Sequence, residues 1–238
     1  MKIYDTLTIK MRPTQMCVGF SEVIDKKIKL SKINKHQLLK YLKENPLPAV
    51  AGPDGRMYLT DHHHLGRALI EMGIERSYFI VQHDFSAIPE HKFFDVLKVL
   101  ELVHPFDENG KERPYKEIPK LLTELRDDPY RSLAGFVRKA GGYRKVDKAY
   151  LEFQWADHFR PLIPKEMLMS KKGIRKAVNM AVKIAQSPQS EHMLGWVGET
   201  IQVKSSLKNK KISKEKIVEK IKAVKVANTA NPEKTKKL

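Results

Sequence analysis

Cysteine is nearly absent: Cys17 stands alone in 238 residues. An intrachain disulfide and a cysteine-built metal cage are thereby excluded, and a reducing compartment is the expected setting. No stretch approaches the ~20 apolar residues that span a bilayer, and the N-terminus shows no apolar signal core. These two absences predict a soluble, cytoplasmic protein. A Gly-x-x-x-x-Gly-Lys-Ser/Thr loop is also missing, which removes the Walker type of nucleotide site. No helix-turn-helix signature stands out, and no internal repeat is visible.

Acidic residues are in short supply. The 45 Lys and Arg exceed the 28 Asp and Glu, giving a formal charge of +17. A balance this basic points to polyanionic partners, nucleic acid or nucleotide among them. The excess is uneven. From Lys204 onward there are 12 Lys against three Glu, so +9 lies in the last 35 residues and +8 in the remainder. Lys208, Lys210, Lys211, Lys214 and Lys216 are the candidates for sequence-independent phosphate contacts; a solvated tail is the alternative. The tail has no aromatic residue for stacking on single strands.

An apolar content of 41% supports a real core. The pattern predicts strands at 3–9, 47–51, 57–59 and 78–82, with helices at 35–44 and from about 62 to 73. Beyond them come helices at 93–102, 118–125, 128–139, 150–159 and 172–186, and the first of these places Phe94, Leu97, Val99 and Leu100 in the core. Met16, Cys17 and Val18 read as a short buried return. The organisation expected is an α+β domain over residues 1–88, a helical domain over 89–203 and a Lys-rich tail over 204–238.

The chemistry concentrates in Asp61-His62-His63-His64, which follows an alternating strand and opens a helix. Asp61 suits an N-cap, its carboxylate accepting an N–H two or three residues on, and it equally suits a divalent cation. The histidines then fall in the first helical turn, where free N–H groups and the dipole favour an anion. Imidazole can donate to phosphate, act as base or bind metal, but successive helical residues point about 100° apart, so three cannot serve one small ligand. A transition-metal site would need further ligands, with His83, Asp84 or His104 as candidates. Arg67, one turn after His64, is a candidate phosphate clamp, as are Arg12, Thr14 and Gln15 in the polar loop around Pro13. Glu22 reads as a solvated surface glutamate rather than an acid of the site. Asp127, Asp128, Tyr130 and Arg131 read as a capped helix start, and Trp155 with Asp157 as core and its polar neighbour.

The order strand, helix, Leu47-Pro-Ala-Val50, turn, strand, Asp61-His-His-His64, helix, strand resembles the ParB/sulfiredoxin-like superfamily. Together with Arg12-Pro-Thr-Gln-Met16, Arg126-Asp-Asp-Pro-Tyr-Arg-Ser-Leu133, Gly141-Gly-Tyr143 and Phe153-Gln-Trp-Ala-Asp157, it is most similar to the group called putative ParB-like nucleases. The resemblance spans residues 10–200. It implies a small mixed sheet with helices and a phosphate-handling loop at Asp61–His64. The corresponding activity is hydrolysis of nucleic-acid phosphodiesters with a divalent cation, Mg²⁺ or Mn²⁺, at Asp61. Nucleotide-dependent phosphotransfer to a small molecule and a non-catalytic DNA-binding or partition-like role are the alternatives. Two positions depart from the superfamily's Asp-Gly-His-His-Arg loop: His62 stands for the Gly and Leu65 for the Arg. The cysteine of the sulfiredoxin loop has no counterpart near His63, which argues against that reaction.

Overall fold

The computed structural model describes residues 3–198; the Lys-rich segment with its five candidate lysines lies outside them. The first half alternates short strands with helices. In order these are β1 (Ile3–Leu7), β2 (Arg12–Pro13), β3 (Cys17–Val18), α1 (Phe20–Leu30), α2 (Lys35–Glu44), β4 (Leu47–Ala51), β5 (Met57–Leu59), α3 (His63–Glu71) and β6 (Arg76–Asp84). The second half is helical: α4 (Glu90–Val99), α5 (Pro129–Lys139), α6 (Leu151–Phe159) and α7 (Lys171–Gln186), with a two-residue strand β7 (Arg126–Asp127) before α5. The fold is α+β.

Five strands form a mixed sheet in the order β1-β6-β4-β5-β2. β4 and β5 are an antiparallel hairpin, as the Pro-Asp-Gly turn requires, while β6 runs parallel to β4. Register slips in the β4–β6 pair: Ala49 faces Val81 but Val50 faces His83, so Gln82 is an extra, bulged residue. Local chemistry explains the helix limits. Asn34 and Gln37 form a reciprocal capping box at the start of α2. Asp128 caps α5 by accepting the Tyr130 N–H, and Gly141, at φ 81°, turns the chain after it.

One face of the sheet packs on α1 and α3 through Leu47, Leu59, Leu65 and Leu69, all buried. Trp155 sits at the centre of a second cluster, stacked on Tyr143 at 4.3 Å and packed with Phe159. A third cluster joins them, Phe93 of α4 meeting Tyr58 of β5 at 4.7 Å. The parallel β3–β7 pair and the Phe20 N–H to Asp127 carboxylate bond at 2.8 Å tie the two halves together. The sheet and the helices that follow it lie within one compact unit.

Several expectations need correction. Residues 20–30, to which the pattern assigns no element, form α1, whose acid at the start and lysines at the end suit the helix dipole. Residues 118–125 form no α-helix; short 3-10 turns cover Tyr115–Glu117 and Leu122–Glu124. α4 begins earlier, after Pro89, and ends at Val99, which is 84% exposed, and Leu100 beyond it is exposed too. The first strand stops at Leu7, where a 3-10 turn begins.

Candidate functional site

The Asp61–His64 loop lies at the C-terminal end of β5, and its geometry separates the three histidines. His62 is the residue preceding the helix and adopts left-handed backbone, φ 61°. Glycine accepts that conformation freely, whereas another residue loses roughly 1–2 kcal/mol there. Asp61 is therefore not the helix cap. Its exposed carboxylate accepts the adjacent His62 N–H at 2.6 Å.

His63 and His64 turn inward. The His63 Nε2 accepts the Thr14 N–H at 3.2 Å, and the His64 Nε2 accepts the Gly19 N–H at 2.9 Å. Both rings thus satisfy buried backbone donors and must be neutral, with the proton on Nδ1. Burial pushes each down to about 3; the positive charge of Arg131 adds to this at His64. These two histidines pin the loops around Thr14 and Gly19 onto α3. The His62 ring bonds the Pro46 carbonyl, its Nδ1 has no hydrogen-bond partner among the described residues, and burial, opposed by Asp61 and reinforced by Lys26, lowers its pKa.

His62 opens onto a cleft of about 870 Å³ between α1 and α3 on one side and α5, α6 and residues 145–150 on the other. Glu22 of α1 is built into its wall rather than solvated. Its carboxylate receives Arg131 at 2.6 Å and Lys139 at 2.9 Å, with His64 3.7 Å away. Burial alone would raise the carboxyl, but the charges of Arg131 and Lys139 bring it down to about 2. Gly135 on α5 provides the seat, because a Cβ there would lie 2.4–2.5 Å from the Glu22 carboxyl atoms. Glu22 cannot retreat while both cations hold it. Gly135→Ala should therefore cost roughly 1–3 kcal/mol by overpacking, read as a lower urea midpoint; an unchanged midpoint would mean that Glu22 is held loosely.

The cleft is bipolar. Arg138 pairs with Glu152 at 2.9 Å, and Lys148 with Glu101. Among the described residues Lys26, Lys29 and Lys145 line the cleft without an ion pair, as do Asp25, Asp61 and Asp147. Burial, reinforced by Lys139 and Lys29 and opposed by Glu22, lowers the pKa of Lys26. Backbone strain gathers here as well. The non-glycine residues with positive φ among the described residues are His62, Glu101 and Tyr150, and all three line this cleft. Strained backbone of this kind clusters at functional sites.

Other sequence candidates fall elsewhere. Arg67 is committed to structure, bonding Glu71 and the Leu125 carbonyl at 2.7 Å each and lying 4.6 Å above the Phe20 ring. It does not line the cleft, and neither does Arg12, which lies on β2 beside Tyr58. Thr14 is buried, its hydroxyl donating to the Leu59 carbonyl, so its part is to seat His63. Gln15 does reach the cleft. His104 is wedged among Phe106, Tyr150 and Phe153, and burial holds it near 3. His83 stacks on Phe85. Among the described residues no group of three or more His, Cys, Asp or Glu side chains could hold a metal ion. Glu22 is already neutralised and Asp61 belongs to no such group, so the described residues of the cleft do not build a cage for a divalent cation. Cys17 is fully buried and its thiol pushed up by that burial, unlike a thiolate nucleophile. No helix of the described residues is long and apolar enough to cross a membrane.

A mixed sheet whose strand-to-helix loop presents histidines to a charged cleft defines the structural class. The family described as "Putative ParB-like nuclease" matches residues 6–161, and the chain belongs to it. A solved structure, that of protein Atu1540 from Agrobacterium tumefaciens, is similar over 84% of this chain and 98% of its own, with 38% identity and a TM-score of 0.78. No match emerged among curated proteins.

Proposed function

We propose that the cleft binds the phosphate of a nucleotide unit and cleaves a nucleic-acid phosphodiester, with His62 as proton acceptor. One observation carries this reading: the Nδ1 of His62 has no partner among the described residues, and the residue is held in strained backbone beside lysines without an ion pair from both walls of the cleft. The family description and the basic composition support it.

In this reading Lys26, Lys29 and Lys145 draw the phosphate to the start of α3, where the first-turn N–H groups add positive potential. A water molecule attacks phosphorus and its proton passes to His62, which is neutral at pH 7 because burial lowers its pKa. The new O–P bond forms as the bond to the leaving oxygen breaks, and the departing oxygen takes up a proton from solvent. The lysines stabilise the charge that gathers on the non-bridging oxygens. Glu22 holds Arg131 and Lys139 in place and takes no proton. Because the residues present do not form a cation cage, no step here is routed through Mg²⁺ or Mn²⁺; such an ion would have to be brought by Asp61 and the substrate's own phosphate. The unpaired Asp25, Asp61 and Asp147 suit the hydroxyl and amino donors of a nucleotide. A cytoplasmic setting and a nucleic-acid arm at Lys208, Lys210, Lys211, Lys214 and Lys216 belong to the same proposal.

The size of the cleft favours a second reading. At about 870 Å³ it lies within the range of small-molecule sites. The same residues would then pass a nucleotide's phosphoryl group to a small hydroxyl acceptor, His62 taking the hydroxyl proton in place of water's.

The test is incubation of the full chain with end-labelled single-stranded DNA and RNA, alongside a Lys26→Ala/Lys29→Ala variant. Cleavage that falls at least tenfold in the variant is expected. Turnover of a nucleotide only when an acceptor is present would move the assignment to the second reading. Binding without turnover would reduce the site to a binding module, and cleavage unaffected by the lysine changes would overturn the proposal.

A further inference from the structure

Two neutral amides reach this cleft, and neither is explained by phosphate. Gln15 is 4% exposed, and its Nε2 donates to the Cys17 carbonyl at 2.7 Å. A carbonyl can only accept, so the amide orientation is fixed and Oε1 is left as an acceptor. Among the described residues no group fills it, and Gln15 lines the cleft. Gln82 is the bulged residue of β6, the position at which a strand re-aims a side chain. Its Oε1 lies 2.6 Å from the Thr60 hydroxyl. The same hydroxyl lies 3.2 Å from the Pro48 carbonyl, which also receives the Thr60 N–H at 2.9 Å; the much shorter contact takes the single hydroxyl hydrogen to Gln82, and the Gln82 N–H₂ is left as a donor.

The cleft thus carries an acceptor and a donor on amides that are each anchored by their other half. Both flank the strand end that leads to His62: Thr14, beside Gln15, bonds Leu59, and Gln82 bonds Thr60. Tyr41 and Tyr150 line the same space with aromatic rings. Neutral donor and acceptor groups beside aromatic rings suit a flat heterocycle with its own donors and acceptors.

We propose that Gln15 and Gln82 form the subsite for the edge of one unpaired nucleobase, so that the cleft takes a single-stranded nucleotide and not a duplex. The proposal rests on the phosphate reading above and names the ligand of that site more closely. In a duplex the pairing edge is already occupied, so a paired base could not engage the two amides. The charged groups then take phosphate and sugar while the amides take the base.

Calorimetric titration of the full chain with a nucleoside monophosphate and with ribose 5-phosphate tests this. The base should tighten binding about tenfold, in line with one or two net hydrogen bonds. Gln82→Ala, at an exposed position, and Gln15→Leu should each erase that advantage and leave ribose 5-phosphate affinity as it was. Should Gln15→Leu fail to fold, Gln82→Ala alone decides. Equal affinity for the two ligands in the unaltered chain, or an advantage that survives Gln82→Ala, overturns the base subsite while phosphate binding stands. Failure of both ligands to bind overturns the phosphate reading as well.

Discussion

Replacing His62 by glycine is expected to lower phosphodiester turnover by about 10²–10⁴-fold, the usual contribution of a positioned base, while the fold survives. His62 holds φ 61°, so glycine relieves the left-handed penalty. The greater freedom of glycine in the unfolded chain offsets much of that gain, leaving stability within about 1 kcal/mol of the starting value. The ring has an unpartnered Nδ1 among the described residues and, unlike its neighbours, accepts no backbone N–H; glycine gives up only its bond to the Pro46 carbonyl. Single-turnover cleavage and a urea midpoint, measured on the same preparation, separate catalysis from folding. Unchanged turnover with an unchanged midpoint would remove His62 as the proton acceptor.

Acid should weaken this protein well above the carboxylate range. His63, His64 and His104 have folded pKa values pushed by burial from about 6.5 to about 3. Between those values the unfolded chain binds protons that the native state refuses, so stability declines as pH drops through that window. Each histidine withdraws about 1.4 kcal/mol per pH unit there, or about 2 kcal/mol by pH 5. Glu22 acts in the same direction at lower pH. Its folded value near 2 gives stability that is complete above the ordinary 4.5 and lost as pH falls towards 2. Asp127 and Asp128, raised chiefly by burial, pull the other way near the carboxylate range. Urea midpoints at pH 7.5 and 5.0 should differ by several kcal/mol in unfolding free energy. A flat profile over that interval would show that the buried rings are protonated without cost.

Much of the sheet was legible because its strands carry strong local signals. Leu47–Ala51, the Pro-Asp-Gly turn and Met57–Leu59 announce a hairpin. The left-handed site at His62 was legible only through the superfamily's glycine at that place, and here it becomes a strained histidine. α1 went unread because its outward positions include Ile24 and Ile28, both exposed, which blur the apolar stripe. Glu22 was lost with it, since a glutamate on an unassigned segment gives no hint that Arg131 and Lys139, more than 100 residues later, will enclose it. Arg67 differs: its spacing from His64 is right, but Glu71 one turn later and the Leu125 carbonyl claim its guanidinium. Long-range partners of charged residues are set by packing, and a local pattern does not carry them.

The account turns on a division of labour among three adjacent histidines, and imidazole-resolved nitrogen NMR reads it directly. With a nucleoside monophosphate added at pH 7, the ring nitrogens of His62 should shift strongly. Those of His63 and His64 should remain neutral, protonated on Nδ1, and almost unmoved down to pH 5. Perturbation of His63 or His64 by the ligand, with His62 unaffected, would contradict the assignment of His62 as the working residue of the cleft.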